Sequence, residues 1–188
     1  MAFQTPDPEF WKNVYGDEWE TASKAVIALH EKIVQKFPEL VDSVKFGLGA
    51  TTGKKIKVPP GQKHEADISY YYNYKLLCHI QVSAPQKGRV PPQDIWILKG
   101  KYDQAVGINS DGEKTWFYLT YPLTGQSYVL DLPIIEPFAA KANKKFLKRD
   151  AQGNRIGETY IDVPCKDGLP LKSLLDFIGT EITKRKKT

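Results

Sequence analysis

Asp67 and Gln81 are the residues of this chain whose types and spacing could assemble a metal-ion site. They lie fourteen positions apart, each in a stretch where apolar and polar residues alternate. Over 65–72, Ala66, Ile68, Tyr70 and Tyr72 share one strand face, and Glu65, Asp67, Ser69 and Tyr71 share the other. Over 76–84, Leu76, Cys78, Ile80, Val82 and Ala84 form an apolar face, while Leu77, His79, Gln81 and Ser83 point the opposite way. A short link around Asn73 makes the two segments an antiparallel hairpin. With Asn73, Tyr74 and Lys75 as that link, Tyr72 pairs with Leu76 and Asp67 falls opposite Gln81, with Glu65 and Ser83 the next pair on the same face. Opposed Cβ atoms stand about 4.5–5.5 Å apart. At that separation a carboxylate and an amide oxygen can share one hard cation such as Mg2+, whose ligands lie at about 2.0–2.1 Å. A slip of one residue in register would destroy the arrangement.

These residues resemble the motif of the PD-(D/E)XK nuclease superfamily, an acidic residue on one strand of a hairpin and a Glu or Gln, followed two residues later by Lys, on the next. The match runs Glu65-Ala66-Asp67-Ile68 and then Leu77-Cys78-His79-Ile80-Gln81-Val82-Ser83, within a resemblance that spans about residues 17–132. It implies a restriction-endonuclease-like α/β fold with a central mixed β-sheet flanked by helices. It also implies a metal-dependent endonuclease that hydrolyses DNA phosphodiester bonds. Asp67, Gln81 and the Val82 backbone carbonyl would bind Mg2+ (or Mn2+), and Glu20 of the preceding helix, or else Glu31, would be an extra ligand. The chain departs from the pattern in three places. Ala66 stands where the motif carries proline. Gln81 replaces the usual Glu and removes one negative charge, which weakens the hold on a cation. Ser83 occupies the lysine position, and a hydroxyl cannot supply the positive charge that orients the attacking water and stabilises charge at phosphorus. Lys101 or Lys99 would reach back in its place, ahead of Lys63 and His64. The catalytic set read from the resemblance is thus Asp67, Gln81, Ser83 and Lys101. The same fold without a delivered lysine would bind nucleic acid or a protein partner without cutting.

Composition sets the frame for these residues. The chain has 188 residues, 41% of them apolar and 12% aromatic, which suits one core and argues against disorder. No apolar run approaches the roughly 18–20 residues of a membrane span. The first residues lack the pattern of a secretory signal, and Cys78 and Cys165 make neither a disulfide framework nor a zinc site. The expectation is a single domain over 1–183 with a basic tail over 184–188, located in the cytoplasm. The net charge of +5 falls to +1 without Lys184, Arg185, Lys186 and Lys187, and to about −4 without Lys141, Lys144, Lys145, Lys148 and Arg149 as well. Positive charge gathered in two short segments suits a polyanion. Double-stranded DNA is the expected partner, held along Lys141–Arg149, and enzymes of the resembled kind often act as homodimers.

The elements that must position the site follow from periodicity. A short helix over 7–15 ends at Gly16, and a longer one over 17–37 carries Trp19, Ala22, Val26, Leu29, Ile33 and Phe37 at steps of three and four. Gly47, Gly49 and Gly53 mark a turn-rich connection, and an extended piece is expected over 54–58. The segment over 94–106 suits strand or helix. Strands are expected over 115–121, 127–132 and 158–163, a basic helix over 135–149 and a closing helix over 169–183. Tyr70, Tyr71, Tyr72 and Tyr74 read as core, with stacking on bases as the alternative, and Trp96 and Trp116 as core. His30 reads as a partly buried hydrogen-bonding residue, and His79 as a satisfied histidine, a ligand or a base.

Overall fold

Val26, Leu29 and Ile33 are buried along one helix, α1 (Pro8–Lys36), in the computed structural model, which describes residues 8–53, 66–84, 94–109, 113–122, 124–149 and 155–187. The separate helix expected over 7–15 does not form, because α1 runs through Gly16. A glycine inside a helix costs only about 1 kcal/mol relative to alanine, and no proline follows it until Pro38 ends the helix. The expected strand over 54–58, Lys63, His64, Glu65 and the loop over 85–92 lie outside the described residues.

Behind α1 come β1 (Val44–Phe46), β2 (Ile68–Tyr72) and β3 (Lys75–Ser83), paired antiparallel in that order. After β4 (Asp94–Leu98) and α2 (Lys99–Asn109), β5 (Thr115–Tyr121) lies parallel to β3, and β6 (Gln126–Asp131) closes the sheet. The result is a mixed five-stranded sheet of order β1-β2-β3-β5-β6. Residues 94–98 are therefore strand, and the helix begins only at Lys99. After α3 (Leu132–Ala139), β7 (Asn143–Arg149) and β8 (Arg155–Pro164) pair antiparallel, and β8 also pairs with β4, giving a second sheet of order β4-β8-β7. The closing helix is α4 (Leu171–Lys186).

The basic helix expected over 135–149 is corrected here. Helix α3 stops at Ala139, after Pro137 has removed one of its backbone donors, and residues 143–149 form an edge strand. Lys144, Lys145, Lys148 and Arg149 are thus laid out along a strand of about 3.3 Å per residue rather than stacked on one helical face. At the other end, α4 continues through Lys184, Arg185 and Lys186, where cations complement the helix dipole. Arg185 donates from both terminal nitrogens to the carbonyls of Lys75 and Leu76, at 2.8 and 2.6 Å. Lys184 pairs with Glu181 and Lys186 with Glu39.

Two cores lie on opposite faces of the five-stranded sheet. Val26, Leu29 and Ile33 of α1 and Leu174, Ile178 and Ile182 of α4 pack on Ile68, Cys78, Ile80, Val82, Trp116 and Tyr118. Ala105 of α2, Leu132 and Ile135 of α3, and Ile95, Ile97, Ile161 and Val163 of the smaller sheet pack on Phe117, Leu119 and Leu130. Consecutive residues of β5 serve alternate cores, as strand alternation requires. No helix among the described residues is long and apolar enough to cross a membrane.

Candidate active site

The hairpin keeps the register that the alternation predicts as far as Ile68 opposite Ile80, the pair next to Asp67 and Gln81, although its turn differs. Ile68 pairs with Ile80, Ser69 with His79 and Tyr70 with Cys78. Toward the turn Tyr71 pairs with Leu76 and Tyr72 with Lys75, because a bulge on the β3 side shifts the register by one. The link is therefore two residues, Asn73 and Tyr74, with φ of 49° and 60°, the left-handed pair that a tight hairpin turn demands, and Tyr74, expected in the core, is fully exposed because the turn carries it off the sheet. The bulge turns Leu77 into the first core, 4% exposed, rather than onto the polar face.

Asp67 stands just ahead of β2, and Gly47 fixes its backbone. The Gly47 N–H donates to the Asp67 carbonyl at 3.1 Å. Asp67 Oδ2 accepts from the backbone N–H of Val82 at 2.7 Å, which ties the carboxylate across the hairpin to the residue beside Gln81. Lys101 closes the group. Its Nζ donates to Asp67 Oδ2 and to the Val82 carbonyl oxygen, both at 2.7 Å. A lysine two positions into α2 thus delivers an ammonium to the hairpin, with Asp67 and Lys101 side chains 25% and 28% exposed. Lys99, the other downstream candidate, turns away to Asp103 at 2.7 Å.

Gln81 is 2% exposed, and its Nε2 has no hydrogen-bond partner among the described residues. Buried polar groups are nearly always bonded, and the open end of this one is the nitrogen, a donor, whereas only the oxygen of the amide could hold a cation. The amide can present either end by turning about its last bond. Helix α2 covers this face of the sheet. Lys101 near its start reaches Val82 at the end of β3, and the Oδ1 of Asn109 at its end accepts from the Thr115 N–H at 3.1 Å. Gln104 Nε2 and Thr115 Oγ1 are also buried without a partner among the described residues.

His79, two residues from Gln81 on the same face, has both ring nitrogens engaged, Nδ1 with Ser69 Oγ at 2.7 Å and Nε2 with Glu113 at 2.8 Å. This row holds the face next to Gln81 rigid. Ser83 ends β3 opposite Leu119. Glu20 lies on α1 with its carboxylate on Lys24 Nζ at 2.6 Å, and its side chain is 63% exposed, so the bonded cluster consists of Asp67, Val82 and Lys101 without it. Lys141 follows α3 in an exposed turn, and Lys144, Lys145, Lys148 and Arg149 occupy β7. Burial pushes the Cys78 thiol up to about 12, which removes it as a nucleophile.

No protein-family model and no curated protein sequence matches this chain. Among solved structures the chain is similar to D212, a nuclease from a fusselovirus. The likeness has a TM-score of 0.51 and covers 92% of this chain and 94% of that one, at 14% sequence identity. The shared property is the fold. The α/β architecture with its mixed sheet between helices is the class that the hairpin motif implied, and it spans nearly the whole chain.

Two features bearing on the site lie outside the reach of sequence alternation. Gly47 was legible only as part of a turn, and its close approach to residue 66 depends on how β1 leaves the sheet. Lys101 carried no spacing rule, since its reach depends on where α2 begins. The one sequence signal for it is a local anomaly. Lys99 and Lys101 open α2 with no acidic residue in its first turn, although the helix dipole disfavours cations there.

Proposed function

We propose that this protein is a metal-dependent endonuclease of PD-(D/E)XK type that hydrolyses phosphodiester bonds in double-stranded DNA. The observation that carries the reading is the meeting of Asp67, the Val82 carbonyl and the Lys101 ammonium beside a buried, open Gln81 amide. The residues fit a divalent ion. Asp67 offers a carboxylate, Val82 a backbone carbonyl and Gln81 an amide oxygen, an all-oxygen set that suits Mg2+ or Mn2+, and a cation already sits on two of these oxygens in the form of the ammonium. Glu20 would have to leave Lys24 to join them.

Bound there, the metal would neutralise charge on the scissile phosphate and acidify a water for attack. The chain's own residues do the rest. Asp67, pinned by the Val82 N–H, holds its carboxylate at a fixed place on the hairpin. Lys101 brings the positive charge that Ser83 cannot, close enough to the site to orient a water or to stabilise charge on phosphate oxygens once the metal holds the two oxygens it now bonds. The His79 row and α2 exclude bulk solvent from the Gln81 side. Lys141, Lys144, Lys145, Lys148 and Arg149 would hold the DNA backbone, with an affinity that falls as salt rises. The fold shared with a viral nuclease supports this reading.

Purified protein with Mg2+ or Mn2+ is expected to nick or cut plasmid DNA, and Asp67→Ala to lower the rate by at least about a hundredfold with the fold retained by circular dichroism. Intact DNA in the presence of both metals, together with a gel shift, would instead identify a nucleic-acid-binding module whose cutting site has decayed.

A further inference from the structure

We propose that Lys101 is a removable internal counter-ion, whose ammonium holds the oxygens of Asp67 and Val82 in place of a divalent cation and yields them when that cation binds. Metal loading is then an exchange, not the filling of a vacant site. This inference rests on the metal site of the proposed function and adds to it how that site is kept and opened.

Three observations carry it. The first is the identity of the oxygens. Lys101 Nζ stands 2.7 Å from Asp67 Oδ2 and 2.7 Å from the Val82 carbonyl oxygen, which are two of the three groups that would ligate the metal. Asp67 Oδ2 already accepts from the Val82 N–H and from Lys101, so a divalent ion coordinated there at about 2.0–2.1 Å must take the place of the ammonium, and two cations on the same oxygens would repel. The second concerns Gln81. It is 2% exposed, and its amide nitrogen has no hydrogen-bond partner among the described residues. No bond to that nitrogen therefore opposes the half-turn that would bring the amide oxygen to a cation. The third is that Lys101 is held in a place from which it can leave. It sits at the positive end of the α2 dipole, next to Lys99 and with no acidic residue in that turn, and its side chain is 28% exposed. A flexible four-carbon stem can swing such an ammonium toward solvent or toward a phosphate without moving the helix.

The physical consequence is a lowered apparent affinity. When only a fraction of molecules has the oxygens free, the apparent dissociation constant rises by the inverse of that fraction. The neutral Gln81 in place of a carboxylate weakens the site further, so the protein should bind metal strongly only when an anionic substrate draws the freed ammonium onto itself. Lys101 would thus couple metal loading to substrate arrival.

Mn2+ binding to the full chain, measured by calorimetry at one pH and ionic strength, tests this directly. Lys101→Met is expected to bind Mn2+ at least tenfold more tightly than the native protein. Its melting temperature in chelator should fall below the native value, because Asp67 loses its counter-ion, and should rise more on adding Mn2+. Should Lys101→Met fail to fold, Lys101→Gln carries the same expectation, since its amide still donates to an oxygen but bears no charge. A folded neutral variant that binds Mn2+ no more tightly than the native protein overturns the exchange while leaving the metal site and the nuclease reading standing. Native and variant proteins that both fail to bind Mn2+ at millimolar concentration overturn the exchange and the metal site together.

Discussion

A Cβ added to Gly47 would stand 2.3 Å from the Ala66 carbonyl oxygen, far inside van der Waals contact with backbone that cannot move without moving Asp67. Glycine is required there by close approach, not by an unusual dihedral. Gly47→Ala is expected to cost about 1–3 kcal/mol in chemical denaturation and to slow DNA cutting through the displaced carboxylate, a pairing that a mere stability loss would not produce at temperatures well below melting. The two lysines that open α2 separate just as sharply. Lys99 forms an exposed pair with Asp103, worth at most about 0.5 kcal/mol, whereas Lys101 bonds Asp67 and Val82. Lys101→Ala should abolish cutting and Lys99→Ala leave the rate within about twofold. Equal losses in plasmid cleavage would mean that the reach of Lys101 is not the relevant one.

At the scale of elements, the joint between α1 and the hairpin is polar at one point. His30 Nδ1 bonds the hydroxyl of Tyr70 at 2.8 Å, and the ring meets Phe46 edge-on at 5.2 Å. Burial holds the Tyr70 hydroxyl protonated and lowers the His30 pKa from its ordinary 6.5, with Glu31 opposing in part. The unfolded chain therefore takes up a proton at a pH where the folded one does not. The stability from this contact is complete above about pH 6.5 and is lost as pH falls through the lowered folded value. Melting temperatures measured from pH 7 to 5 should drop for the native protein and drop less for His30→Gln. Parallel curves would show that His30 does not titrate in this window. Arg185 makes the matching tie at the other end of the hairpin, capping the Lys75 and Leu76 carbonyls from α4, so residues read as a loose basic tail belong in part to the sheet's support.

For the whole molecule, charge distribution matters more than net charge. The fold places the 141–149 basic run on the edge of the smaller sheet, while Lys184 and Lys186 are compensated by Glu181 and Glu39. Those pairs lower what α4 can offer a polyanion, and the proposed contact along β7 is open to a direct test. Replacing Lys144, Lys145 and Lys148 together by Gln should shallow the slope of log affinity against log salt by about 2–3, at about 0.9 per phosphate contact. An unchanged slope, measured by fluorescence anisotropy with duplex DNA, would remove β7 from the interface.

Alternation along the hairpin was sufficient to set Ile68 opposite Ile80, next to Asp67 and Gln81, and to name most of the core faces, because strand periodicity is a local property and a packed hairpin leaves little freedom of register. The apolar stripe of α1 was legible for the same reason. The turn length, the inward Leu77 and the strand at 143–149 were not, since a bulge and a second sheet are settled by partners distant in sequence. Nor could the chain alone choose between Lys99 and Lys101. That choice belongs to the packing of α2 across β3 and β5, which carries one ammonium onto Asp67 and turns its neighbour outward.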